Sequence, residues 1–112
     1  ILNEDKPQMN RLFTNLIKNA IEASSSNAMI EIFISLECAA GEALVAIEDK
    51  GAGISQGMQP KIFTPNFTTK SSGTGLGLAI CKGIVENAGG KIWFQTEENK
   101  GTTFFVSLPL SV

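Results

Sequence analysis

Ala43-Leu44-Val45-Ala46-Ile47-Glu48-Asp49-Lys50-Gly51-Ala52-Gly53-Ile54 runs from an apolar segment of strand length into a carboxylate and then a glycine-bearing turn. Just upstream, Ile30, Ile32, Ile34, Leu36 and Cys38 alternate with Glu31, Phe33, Ser35 and Glu37, a period of two that predicts a strand over 29–38. The short Ala40-Gly41-Glu42 link makes an antiparallel hairpin the simplest connection between the two runs.

Before this hairpin the pattern is helical. Asp5 with Gln8 three residues on resembles a capping box, and Pro7 suits a first turn where its missing N–H is not needed. At 100° per residue Met9, Phe13, Leu16, Ala20 and Ala23 fall on one side, whereas Arg11, Asn15, Lys18, Asn19 and Glu22 fall on the other. Ser24-Ser25-Ser26-Asn27 ends the pattern.

After the hairpin, residues 50–75 are rich in Gly, Ser, Thr and Pro and carry only a short helical turn near Gln59–Phe63. A stretch of that length in a small domain reads as a functional loop or lid. Leu76 to Ala88 returns to helical spacing and stops at Gly89-Gly90; Lys91–Glu97 and Thr102–Leu108 then form a second pair of strands. The order helix, hairpin, loop, helix, hairpin predicts an α+β two-layer sandwich, with helices on one face of the sheet.

Composition bounds the function. At 112 residues and 43% hydrophobic content the chain supports one core, so residues 1–112 are expected to be a single domain. A net charge of −2 lacks the basic surplus of a nucleic-acid binder, and no apolar run approaches membrane-spanning length. No leader pattern opens the chain, and Ile1 in place of Met predicts a piece of a longer protein. With no histidine and no tyrosine, the chain holds no His-based general base, His metal site or Ser-His pair. Cys38 and Cys81 lack metal-type spacing and are expected to be small core residues.

Three segments and one lysine carry candidate chemistry. Asp49 to Gly53 reads by itself as an ordinary turn; alternatively its glycines admit a flat ligand while the carboxylate accepts from an amino group. Gly73-Thr74-Gly75-Leu76-Gly77-Leu78 precedes a helix and is either a packed helix start or a phosphate site. It matches neither the P-loop nor the dinucleotide fingerprint. Asn15 and Asn19, one turn apart, are either solvated surface residues or amide oxygens for a phosphate-bound Mg²⁺. Lys70 is either solvent-facing or a mobile cation for a phosphate.

In chain order, Asn15-Leu16-Ile17-Lys18-Asn19-Ala20, Asp49 to Ile54, Phe63-Thr64-Pro65-Asn66-Phe67-Thr68-Thr69-Lys70, Gly73 to Leu78 and Gly101-Thr102-Thr103-Phe104 resemble the N, G1, F, G2 and G3 boxes. The chain therefore resembles the catalytic and ATP-binding domain of bacterial two-component sensor histidine kinases. The resemblance implies the Bergerat fold, a mixed and mostly antiparallel sheet covered by three helices, with an ATP lid over about 52–75. It implies Mg²⁺ on Asn19, Asn15 toward the phosphates, and the adenine amino group on Asp49 with water-mediated help from Thr102. Gly51, Gly53 and Ile54 would shape the adenine pocket. Gly73, Thr74, Gly75, Leu76 and Gly77 would surround the phosphates, with Lys70 as lid cation. Phe63 and Phe67 would anchor the lid, against the phosphoacceptor helices in one version.

Two departures are visible: Asn66 stands where many relatives have Phe, and Glu22 where many have a basic residue, leaving the phosphate grip weaker or borrowed from Lys18. Asn15 stands where related ATPases and serine kinases carry a glutamate, and an amide accepts no proton at neutral pH. The resemblance thus implies γ-phosphoryl transfer from ATP to a histidine on a separate helical dimerisation domain, with a response regulator further downstream. The implied setting is cytoplasmic, as an isolated monomer without direct membrane or nucleic-acid contact, whether or not the parent protein is membrane-anchored. A stand-alone ATPase or serine kinase, and a nucleotide-sensing or interaction module without catalysis, are the alternatives.

Overall fold

The computed structural model describes residues 6–23, 32–64 and 77–109. Among these residues two α-helices, α1 (Lys6–Ala23) and α2 (Gly77–Asn87), accompany four strands, β1 (Ile32–Ala39), β2 (Glu42–Asp49), β3 (Lys91–Glu97) and β4 (Gly101–Pro109). A 3-10 turn over Gln59–Lys61 fills the place where the sequence predicts a helical turn. The sheet order is β1-β2-β4-β3, and every described pairing is antiparallel. Neither a third α-helix nor a parallel pairing occurs among the described residues.

Local chemistry sets the turns. Ala39 pairs with Glu42, leaving a two-residue loop in which Ala40 (φ 53°) and Gly41 (φ 78°) both take positive φ. That conformation matches the right-handed twist of the flanking strands. Helix α2 ends in a Schellman motif: Gly90 N–H donates to Val85 O at 2.9 Å and Gly89 N–H to Glu86 O at 3.0 Å, with Gly89 at φ 80°.

Helix α1 packs on α2 and β2, and α2 also packs on β3 and β4. Leu12, Leu16 and Ala20 from α1, Val45 and Ile47 from β2, Phe104, Val106 and Leu108 from β4, and Cys81 and Val85 from α2 form the core with Ile62. Full burial of a leucine or valine contributes about 1.5–3 kcal/mol, so this one cluster is the dominant favourable term. Leu12, absent from the apolar face read off the sequence, is completely buried, whereas Met9 and Phe13 pack at the margin.

The alternation predicted for β1 points Ile34 and Leu36 toward the helix side, opposite Ile47 and Val45. Both are nonetheless exposed, at 56% and 63%, because the helices sit over β2, β4 and β3. Cys38 is likewise exposed, which corrects its expected core position; Cys81 is buried as expected, and both thiols are free.

Candidate nucleotide-binding site

Asp49 is the last residue of β2, and β-strand alternation turns its side chain to the same face as Ile47 and Val45. It is 2% exposed. A carboxylate at that depth needs compensation, and the chain supplies part of it locally: Gly51 N–H donates to Asp49 Oδ1 at 2.8 Å. The short Asp–Gly turn thus does two jobs, ending the strand and holding the carboxylate.

Across the β2–β4 ladder Asp49 pairs with Thr102, itself 5% exposed. The Thr102 hydroxyl lies 2.8 Å from Thr96 Oγ1 on β3. Thr96 also accepts the Ile54 N–H at 2.9 Å and donates to Gly101 O at 3.1 Å. One threonine therefore joins the loop after β2, the β3–β4 turn and the floor beside Asp49. Sequence reading missed Thr96, because a threonine in a strand is ordinary; its position opposite Thr102 emerges only from the β3–β4 register.

Glycine is required where backbones meet. A Cβ on Gly53 (φ 75°) would strike the carbonyl oxygen of Glu97, and one on Gly101 would strike that of Asp49. Asn99 N–H adds a 2.6 Å bond to Ala52 O. The segments containing Gly51–Ile54 and Gly101–Thr102 are in this way locked into a single unit.

On α1, Asn15 and Asn19 are both half-buried, beside the fully buried Leu16 and Ala20. Asn15 approaches the side chain of Cys81 on α2. The Cys81 thiol donates to Leu12 O at 3.6 Å, and burial pushes its pKa up to about 12. Asn15 therefore sits at the seam between the helices. Among the described residues no three His, Cys, Asp or Glu side chains converge on a metal-sized site. The oxygen donors offered here suit a hard cation that takes most of its shell from phosphate and water.

Phe63 packs within the domain, against Phe94 at 6.0 Å and edge-on to Phe104 at 6.3 Å. It pins this part of the loop to the sheet, as expected of a lid anchor. Gln59 Nε2 donates to Ile54 O at 3.2 Å and steadies the same segment. Gly77 begins α2. Lys70, Gly73, Thr74, Gly75 and Leu76, with Asn66 and Phe67, lie outside the described residues.

An open depression of about 340 Å³ is lined in part by Glu48, Gln95 and Thr103. Strand alternation directs these side chains away from the helices, opposite to Asp49, Thr96 and Thr102. Asp49, Thr96, Gly101 and Thr102 also line it, so the depression lies at the end of the sheet that carries Asp49 and opens onto the outer face.

The family model described as "Histidine kinase-, DNA gyrase B-, and HSP90-like ATPase" matches residues 4–112. Sensor histidine kinase ZraS of Escherichia coli (strain K12) is 40% identical over 111 residues, which are 99% of this chain and 23% of that protein. Sporulation kinase C of Bacillus subtilis (strain 168) is 37% identical over 110 residues, 98% of this chain and 25% of that protein. This chain thus spans about a quarter of the length of both kinases. The nucleotide-free catalytic domain of histidine kinase ThkA matches with a TM-score of 0.81 and 40% identity, covering 94% of this chain and 68% of that one. With its buried carboxylate, its interlocked glycine turns and these matches, the chain belongs to the histidine kinase-, DNA gyrase B- and HSP90-like ATPase family.

Proposed function

We propose that this chain, acting as one domain, binds Mg-ATP and presents its γ-phosphoryl group to a histidine on a separate helical dimerisation domain in two-component signalling. The observation that carries the reading is the buried Asp49, held by Gly51 and facing Thr102 beside a ledge where only glycine fits. A deeply placed acceptor beside such a ledge suits the amino edge of adenine.

In this reading Asp49 accepts from the adenine amino group, Thr102 assists through water, and Gly51, Gly53 and Ile54 line the base. Asn19 lends its amide oxygen to Mg²⁺, and Asn15 faces the phosphates beside it. Lys70, Gly73, Thr74, Gly75, Leu76 and Gly77 take the lid and phosphate roles implied by the sequence. Bound Mg²⁺ supplies charge neutralisation on the phosphates.

The remaining chemistry is positioning. An N–P bond forms to the acceptor imidazole as the bond between the γ-phosphorus and its bridging oxygen breaks, releasing ADP. Asn15 takes up no proton, which suits an imidazole nucleophile better than water. The chain contains no histidine, so the acceptor belongs to another segment or molecule. Among the described residues no helix is long and apolar enough to cross a membrane. A cytoplasmic setting, a monomeric isolated domain and a downstream response regulator complete the proposal.

Mixing the chain with a helical acceptor domain and γ-labelled ATP tests it. Label should appear on the acceptor histidine and vanish with Asn19→Ala. Bound ATP without any label transfer would contradict the kinase reading.

A further inference from the structure

Thr96 Oγ1 has three hydrogen-bond neighbours, and a hydroxyl has one proton and two lone pairs. The Ile54 N–H at 2.9 Å has only a proton to give, so it takes one lone pair. The Gly101 carbonyl at 3.1 Å has only lone pairs, so it takes the Thr96 proton. The third neighbour, Thr102 Oγ1 at 2.8 Å, is consistent by distance with either direction. Counting decides it: the one assignment that satisfies all three contacts has Thr102 donating to Thr96. At this depth satisfaction matters, because a polar group largely shielded from water has little solvent to replace a missing partner.

The consequence reaches Thr102. Its single proton is turned toward β3, so toward anything bound beside it Thr102 is an acceptor. Asp49, opposite Thr102 in the ladder, is an acceptor too when ionised. Two acceptors side by side favour a donor at the base edge and oppose a carbonyl there.

We propose that Thr96 is a positioning residue that fixes the polarity of the Thr102 hydroxyl, and that the Asp49–Thr102 pair thereby selects a 6-amino purine over a 6-oxo purine. This rests on the reading that Asp49 and Thr102 line the base site. Directly or through one water, the 6-amino group of adenine supplies protons to this pair, whereas the 6-oxo group of hypoxanthine brings a third acceptor. Loss of the Thr96 hydroxyl frees the Thr102 hydroxyl to rotate and donate to that oxo group. Discrimination then falls by a route unrelated to general loosening of the site.

The test is calorimetric titration of Mg-ATP and Mg-ITP into the wild-type chain, Thr96→Val, Thr96→Ser and Thr102→Val, with thermal melts to verify folding. Wild type is expected to bind ITP at least about tenfold more weakly than ATP. Thr96→Val should narrow that ratio about threefold or more, and Thr96→Ser should restore it. In a Thr102→Val background Thr96→Val should leave the ratio unmoved. If Thr96→Val does not fold, Thr96→Ala is read in the same way. Equal weakening of both nucleotides by Thr96→Val, with the ratio unchanged, would overturn the proposal and leave Thr96 a structural tie. Absence of saturable ATP binding by folded wild type would instead overturn the nucleotide reading, and this proposal with it.

Discussion

Asn99, at the tip of the β3–β4 turn, donates its N–H to the carbonyl of Ala52 at 2.6 Å, so two loops far apart in sequence form one backbone-to-backbone contact. That contact keeps Gly53 against Glu97. The ledge beside Asp49 is therefore built from main chain, and its shape depends on residues without side chains.

Gly53→Ala tests this directly. It adds a Cβ at φ 75° and drives it into the Glu97 carbonyl. Left-handed strain plus overpacking should cost about 2–4 kcal/mol in denaturant unfolding. Gly57→Ala is the control, because nothing lies within 4 Å of its added methyl. A loss below about 0.5 kcal/mol at Gly53 would show that the loops separate easily.

Leu12 and Leu36 predict opposite outcomes for the same substitution. Leu12 is 0% exposed in the core and Leu36 is 63% exposed on β1. Leu12→Ala should destabilise by about 2–5 kcal/mol and Leu36→Ala by about 0.5 kcal/mol or less. Similar losses from the two variants, read by urea unfolding, would contradict the placement of the core under α1.

This pair also marks how far the sequence was legible. Periodicity located α1, both hairpins and α2 to within a few residues, since a period of 2 or 3.6 is a local property. Alternation assigned Leu36 to the correct face but not its burial, which depends on where α1 lies across the sheet. On α1 the 100° projection favoured Met9 and Phe13 over Leu12, because the position of the seam is set by contact with α2. The candidate site divides similarly. Asp49 and Gly53 are local turn chemistry and could be singled out from sequence, whereas Thr96 acquires its role from the β3–β4 register.

Cys81 makes stability fall at high pH. Burial raises its thiol from 9.0 to about 12 in the folded chain. The folded state then keeps a proton that the unfolded state releases, so stability is intact below about pH 9 and declines as pH rises toward 12. The slope should approach about 1.4 kcal/mol per pH unit relative to Cys81→Ala, whose other titrations are shared. Parallel pH profiles for the two proteins would contradict this.

The two thiols should also separate by reactivity. Cys38 is exposed and Cys81 buried, so one thiol should be labelled rapidly by a disulfide reagent in the native protein and the second only on unfolding. Rapid labelling of both in the native state would show that the α1–α2 seam opens, and with it the seat of Asn15.

The central claim is that Asp49 recognises the adenine of a bound Mg-ATP, and calorimetric titration of Mg-ATP into the wild-type chain and Asp49→Asn tests it most directly. The account predicts saturable binding by the wild type, weakened about ten- to a hundredfold by the substitution, as expected for loss of a buried charge-assisted hydrogen bond. Equal affinity in the two proteins, or no binding by folded wild type, would contradict it.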